Sequence, residues 1–207
     1  MKDINTRKIS IRKKSNDYRL CLGFGILILL LSFVLCRPTE AGLATQPEWG
    51  ASIGSGHGVS NIVPIRLGVQ RNFDCKWPLR CDWMLTGYFE ASYYYLHGDR
   101  DKRVNSNDRL SIVAVAPVLR FQREIPVLST LPYIDIGIGA SWVSKKEIGG
   151  RELGIHFQFE DRLGFGFRFG PEKQFDFSYR VIHFSNAFLG QKNHGINLHF
   201  LMLGYWF

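Results

Sequence analysis

The sequence predicts an all-β protein: an eight-stranded antiparallel transmembrane β-barrel of the outer-membrane type, preceded by a cleaved signal peptide. Three observations support this prediction. Strand-like segments separated by turns repeat along most of the chain, and 14% of the residues are aromatic with 21 glycines, a composition that favours β-structure rich in turns. The chain also ends on Phe207, with apolar residues at alternate positions before it, which is typical of proteins inserted as outer-membrane barrels.

Residues 1–41 are predicted to be the signal peptide, and residues 42–207 a single barrel domain. A basic segment precedes an apolar run from Leu20 to Leu35, and Thr39 and Ala41 supply small residues for a cleavage site. The alternative is a retained anchor, for which the run is slightly short. Most of the net charge of +8 belongs to this N-terminal segment, so the charge does not indicate binding to nucleic acid.

Eight strand-like segments follow, separated by turns. They are predicted at about residues 49–56, 63–73, 83–97, 109–123, 132–144, 156–169, 174–186 and 195–207. The fifth, sixth and eighth segments alternate clearly between apolar and small or polar residues, so each has two different faces. The third is rich in tyrosine on both faces, and the fourth is too apolar for its faces to be assigned.

Two architectures fit eight alternating strands. A soluble, lipocalin-like barrel would point its large apolar residues inward, whereas an outer-membrane barrel points them to lipid around a narrow polar interior. The sixth segment favours the membrane barrel, because one of its faces combines glycines with mutually pairable polar residues: Gln158, Glu160, Arg162 and Arg168. Since an open sheet edge is not stable in lipid, we expect the first strand to pair with the last.

Loop lengths predict the orientation of the barrel. Residues 170–174 form a tight turn, as periplasmic turns do, whereas residues 98–108, 145–154 and 187–194 form longer polar loops of the external kind. The seventh strand then runs outward, so His183 and Ser185 are expected near the outer leaflet.

His183 and Ser185 are the candidate catalytic residues. They share one face of the seventh strand with apolar residues, at a Cα separation of about 7 Å, which an imidazole can bridge to a hydroxyl. Symmetric hairpins place Asp161 across from His183, and Asn197 across from Ser185 with His199 beside His183. The alternative is that these are ordinary polar residues at the membrane interface.

At these residues the chain resembles the PagL-type outer-membrane lipid A 3-O-deacylases. The resemblance runs from about Trp49 to Phe207 and is most specific in Phe159-Glu-Asp-Arg-Leu-Gly-Phe-Gly166 and in His183-Phe-Ser-Asn-Ala187, followed by Asn193-His-Gly-Ile-Asn197. It implies a serine esterase that hydrolyses the 3-hydroxyacyl ester at position 3 of lipid A. Ser185 is the implied nucleophile and His183 the implied general base; Asp161, Asn186 and Asn193 occupy positions that support the site or its oxyanion.

One position departs from the family pattern. Asn197 stands where the family carries Glu as the third member of the triad; an amide can orient the imidazole but cannot stabilise it by charge. The implied reaction needs neither cofactor nor metal.

The implied partners are lipid A or lipopolysaccharide, the outer membrane and the barrel-insertion machinery, without nucleic acid. The sequence leaves open whether the barrel forms a homodimer and whether Cys75 and Cys81 are bonded. An outer-membrane phospholipid esterase and a non-catalytic small barrel are the alternative functions.

Overall fold

A computed structural model describes residues 48–73, 76–98 and 107–207, and these residues form a closed antiparallel barrel of eight long strands. The predicted signal peptide, residues 1–41, lies outside the described residues. So does Cys75, while Cys81 is exposed. Among the described residues, no helix is both long and apolar enough to cross a membrane.

The strands lie within two residues of their predicted bounds. In chain order they are β1 (Trp49–Gly58), β2 (Val63–Asn72), β3 (Trp77–Pro78), β4 (Trp83–His97), β5 (Arg109–Arg123), β6 (Leu131–Val143), β7 (Glu147–Ile148), β8 (Arg151–Glu152), β9 (Phe157–Phe169), β10 (Phe175–Ser185) and β11 (Ile196–Trp206). The two-residue strand β3 pairs with the start of β4 at the edge of the barrel sheet, and β7 and β8 form a separate small hairpin within the 144–156 loop.

Each long strand pairs with the next one along the chain, and β1 pairs with β11, so the expected closure of the first strand onto the last is confirmed. The ladder continues to the chain end: the Trp49 N–H donates to Phe207 O at 3.1 Å, and the Phe207 N–H donates to Trp49 O at 2.8 Å. If the cross-strand partners are traced once around the barrel from Ser185, the path returns to β10 at Phe175, ten residues earlier in the same strand. Eight strands with this shear make a narrow, strongly tilted cylinder whose interior is filled by side chains.

The outer wall is apolar, as the membrane architecture predicts. Large side chains stand exposed on it at every second position, among them Ile53, Leu67, Val113, Val115, Leu163, Phe165, Leu201 and Leu203. The polar row predicted for β9 faces the interior instead, and all four of its members are buried: Gln158, Glu160, Arg162 and Arg168. The apolar face of the strands therefore points outward, which excludes the soluble, lipocalin-like barrel.

Buried charges in the interior are paired across the barrel. The Glu90 carboxylate on β4 forms ion pairs with Arg66 of β2, Arg162 of β9 and Arg180 of β10. A second cluster lies closer to the 170–174 turn. There Arg120 contacts Asp135 at 2.8 Å and Asp176 at 3.5 Å, while the hydroxyls of Tyr88 and Tyr133 donate to the same two carboxylates. These pairs satisfy charges that could not otherwise be buried.

The other half of the interior is apolar, which differs from the polar interior expected from the sequence. Towards the end that carries the 98–108, 144–156 and 186–195 loops (the long-loop end), a continuous cluster fills the lumen; its members include Ile62, Leu96, Leu110, Ile112, Val143, Ile148, Leu153, Phe184, Ile196 and Leu198. Of these, Ile148 and Leu153 come from the 144–156 loop. An apolar filling needs no hydrogen-bond partners, so it seals this end without further buried charges.

We expect Glu90→Gln to destabilise the barrel by about 3–5 kcal/mol, because it leaves three buried guanidiniums without their shared carboxylate. The measurement is urea-induced unfolding of the refolded barrel in lipid vesicles, followed by heat-modifiable gel mobility.

Glu48→Gln is the matched control. Glu48 pairs with Arg71 at 2.9 Å on the surface, where both side chains are more than half exposed, so its loss should cost less than about 1 kcal/mol. Similar unfolding midpoints for the two variants would refute the importance assigned to the Glu90 cluster.

Candidate active site

The predicted site residues lie where β9, β10 and β11 reach the long-loop end. His183 occupies the middle strand, and its cross-strand partners are Asp161 on β9 and Asn197 on β11. The predicted pairing of Asp161 with His183 is thus confirmed. All three side chains are on the outer wall, because their inward-facing neighbours Ile182 and Phe184 are fully buried.

The predicted register between β10 and β11 was wrong by two residues. Asn197 lies across from His183 rather than Ser185, and His199 lies across from Val181. The two strands pair about a centre at residue 190, one residue earlier than a pairing of Asn197 with Ser185 requires. β10 ends at Ser185, and a tight turn follows directly, in which Leu189 N–H donates to Asn186 O while Ala187 and Phe188 adopt positive φ angles of 50° and 61°.

This register brings Asn197 into direct contact with the imidazole. Its Oδ1 lies 2.5 Å from Nδ1 of His183. Because an amide oxygen only accepts, Nδ1 must donate, and the neutral ring then carries its lone pair on Nε2. Asn197 therefore selects the tautomer in which Nε2 can accept a proton.

Gly195 confines the other edge of the same ring. A Cβ at this position would lie 2.9 Å from Cε1 and 3.5 Å from Nε2 of His183. Its φ of 61° is also in the left-handed region that favours glycine. The imidazole is thus held between the Asn197 amide on one side and the Gly195 backbone on the other.

Ser185 is the last residue of β10 and shares the outer face with His183, two residues away. Its partner on β9 is Phe159. Within the described part of the chain, no hydrogen bond joins the Ser185 hydroxyl to His183. In unliganded hydrolases such contacts are often longer than in the complex, and the two residues are within one side chain's reach.

The two supporting asparagines play different structural roles. Asn186 is fully buried, and its Nδ2 donates to Leu153 O at 2.6 Å and to Lys192 O at 2.7 Å. It joins the two loops, and both hydrogens of its side-chain amide are engaged in these bonds. Asn193 is half-buried; its Oδ1 accepts the Asn186 N–H at 3.0 Å, which leaves its amide nitrogen as a donor.

His199 does not take part in the contacts around His183. Its Nδ1 lies 2.6 Å from the Tyr179 hydroxyl, and its ring stacks on His57 with centroids 5.0 Å apart. The structure instead adds Gly195, which the sequence did not single out. Gly195 stands inside the Asn193-His-Gly-Ile-Asn197 motif, so its position was a usable signal.

Comparisons with known proteins identify the family of this chain. Residues 64–206 match the family described as Lipid A 3-O-deacylase (PagL). The lipid A deacylase PagL of Pseudomonas aeruginosa (strain PAO1) is 35% identical over 168 residues, which are 81% of this chain and 92% of that protein. The lipid A deacylase PagL of Bordetella bronchiseptica (strain RB50) is 36% identical over 75 residues, 36% of this chain and 41% of that one.

A solved structure extends the agreement to the fold. The crystal structure of the outer membrane enzyme PagL superposes with a TM-score of 0.69 at 30% identity, covering 76% of this chain and 99% of that one. The closed barrel, the polar site on its outer wall and these matches define an outer-membrane β-barrel of the ester-hydrolase class. The chain belongs to the lipid A 3-O-deacylase (PagL) family.

We expect Gly195→Ala to displace the His183 ring, because the new methyl group would overlap Cε1, and to weaken the bond from Nδ1 to Asn197. The measurement is the Nδ1–H proton resonance of His183 in protein labelled with ¹⁵N-histidine in detergent micelles.

Gly170→Ala is the matched control, since Gly170 also has a positive φ, 92°, but lies in the 170–174 turn at the opposite end of the barrel. It should share the backbone cost and leave the His183 signal in place. An unchanged signal in Gly195→Ala would contradict the role given to Gly195.

Proposed function

We propose that the protein is a serine esterase that hydrolyses the 3-hydroxyacyl ester at position 3 of lipid A. The observation that carries the proposal is the arrangement on the outer wall: His183 lies between Asn197 and Asp161, with Ser185 next on the same face of the same strand. A site on the lipid-facing surface suits a substrate whose ester lies at the boundary between sugar and acyl chains.

Ser185 is the nucleophile in this proposal and His183 the general base. As the Ser185 oxygen bonds to the ester carbonyl carbon, its proton passes to Nε2 of His183, which Asn197 keeps free to accept it. The amide nitrogen of Asn193 donates to the developing oxyanion. Collapse of the intermediate breaks the bond to the sugar oxygen at position 3, which takes the proton back from His183.

The second half of the reaction regenerates the enzyme. Water enters in place of the departed sugar hydroxyl and gives its proton to Nε2 while its oxygen attacks the acyl-serine. The 3-hydroxy fatty acid leaves, and Ser185 recovers its proton. Both steps use the same base and the same oxyanion donor, so no further group has to approach the site.

Asn197 distinguishes this chain from the pattern that its family implies. A glutamate in that place would stabilise the imidazolium by charge, whereas an amide only orients the ring. Asp161 is the partner of His183 on β9, with Cβ atoms about 5 Å apart as is usual across strands. Asp161 supplies the compensating negative charge in this proposal.

Position in the membrane follows from the fold. With the long loops external, β10 runs outward and Ser185 ends it at the level of the outer leaflet. The alternating apolar residues of β11 give it an apolar outer face that suits recognition by the barrel-insertion machinery.

We expect Ser185→Ala and His183→Ala each to reduce deacylation by at least about 10³-fold, as loss of a nucleophile or its base does in serine hydrolases. The measurement is mass spectrometry of lipid A after incubation with the purified, heat-modifiable barrel, where activity removes one 3-hydroxyacyl chain.

Ser55→Ala and His57→Ala are the matched controls, because both residues face outward on β1 away from β10; they should keep full activity. Retained turnover in either test variant would refute the assignment. Release of fatty acid from phospholipid alone would favour the phospholipid esterase, and an inert protein the non-catalytic barrel.

We expect Asn197→Glu to raise the rate, because a carboxylate would add charge stabilisation to the same contact with Nδ1. Asn197→Leu should lower it on the order of tenfold, about the value of one hydrogen bond that fixes the tautomer. Initial rates on purified lipid A provide the comparison. Equal rates in all three proteins would remove Asn197 from the site.

A further inference from the structure

Residues 194–195, which lead into β11, are held by an arginine from the neighbouring loop. Arg151, in the β7–β8 hairpin, donates from Nε to Gly195 O at 2.7 Å and from Nη2 to His194 O at 2.5 Å. Two parallel donors on one rigid guanidinium fix the direction of these carbonyls as well as their position. Arg151 is therefore a clamp on two consecutive peptide units.

Those peptide units determine where the His183 ring can lie. Gly195 is in contact range of the ring edge formed by Cε1 and Nε2. Two residues further on, Asn197 binds Nδ1. Both restraints on the imidazole thus belong to one short segment, and that segment enters β11 directly after the carbonyls that Arg151 holds.

Other contacts fasten the two loops but do not reach the ring. His194 N–H donates to Glu152 O at 3.0 Å, and Glu152 N–H donates to Nδ1 of His194 at 3.1 Å. Lys192 pairs with the Glu152 carboxylate at 2.6 Å, and this ammonium holds the pKa of Glu152 below its usual value. Among these loop contacts, those of Arg151 are the ones that end on Gly195.

We propose that Arg151 is a positioning residue for the reaction, which holds Gly195 and the start of β11 so that Nε2 of His183 faces Ser185. It acts through the backbone and does not touch the reacting atoms. The inference rests on the function proposed above, in which His183 is the base. A competing role is direct contact between the Arg151 guanidinium and a lipid A phosphate, and the two roles predict different kinetics.

The test compares Arg151→Met and Arg151→Lys with the wild-type barrel, using lipid A and lipid A freed of its phosphates as substrates. A positioning role predicts that kcat of Arg151→Met falls about tenfold on both substrates with little change in KM, the size expected for losing hydrogen bonds from a charged donor. Arg151→Lys should recover part of the rate, since an ammonium can still reach one carbonyl.

Lys145→Met is the matched control for removing one cation from the same loop, where Lys145 is exposed; its kcat should equal that of the wild type. A loss confined to KM and to the phosphorylated substrate would overturn the positioning role in favour of a headgroup contact. An unchanged kcat in both Arg151 variants would overturn it as well. Heat-modifiable gel mobility identifies the variants that fold. If Arg151→Met does not fold, Arg151→Lys still tests the positioning role.

Ser185→Ala separates this inference from the proposed function. If Ser185→Ala is inactive while Arg151→Met is fully active, the positioning role alone fails. If Ser185→Ala retains turnover, the proposed function and the positioning role fail together.

Discussion

One buried carboxylate ties together the strands on which the rest of the structure depends. Glu90 projects from β4 into the lumen, where it meets guanidiniums from β2, β9 and β10. All of these side chains are almost fully excluded from solvent, so each charge is stable there only because the others are present. Two of the three arginines, Arg162 and Arg180, come from the strands whose outer faces carry Asp161 and His183.

The interior and the site are thus two faces of the same strands. Alternation along β9 and β10 sends charged side chains inward to the ionic cluster and sends the site residues outward to lipid. Above the cluster the lumen is filled by apolar side chains, including two from the 144–156 loop. A packed interior leaves the outer wall little freedom to deform, which is what a site built from single side chains on three strands requires.

The sequence was sufficient for the fold and for part of the site. Period-two alternation gave the strands and their facing, and the short 170–174 turn fixed the pairing of Asp161 with His183. The sequence was not sufficient for the strand register and the interior packing that depend on how the loops fold. The β10–β11 register differs by two residues from the predicted one, and the turn after β10 contains left-handed residues, Ala187 and Phe188, whose side chains do not signal that conformation. β5 is apolar on both faces, so the filling of the long-loop end could not be read from it.

The pairing of the first barrel strand with the last has a consequence for assembly of the barrel. β1 and β11 are the neighbouring strands most distant in sequence, yet their ladder runs from Gly50 with Trp206 to Gly58 with Leu198. A nascent chain that lacks its final strand has two unpaired strand edges. Each edge exposes a row of backbone N–H and C=O groups that hydrocarbon cannot solvate. The pairing of β1 with β11 therefore requires the chain through β11, and a polypeptide that ends before residue 196 leaves both edges unpaired in the bilayer.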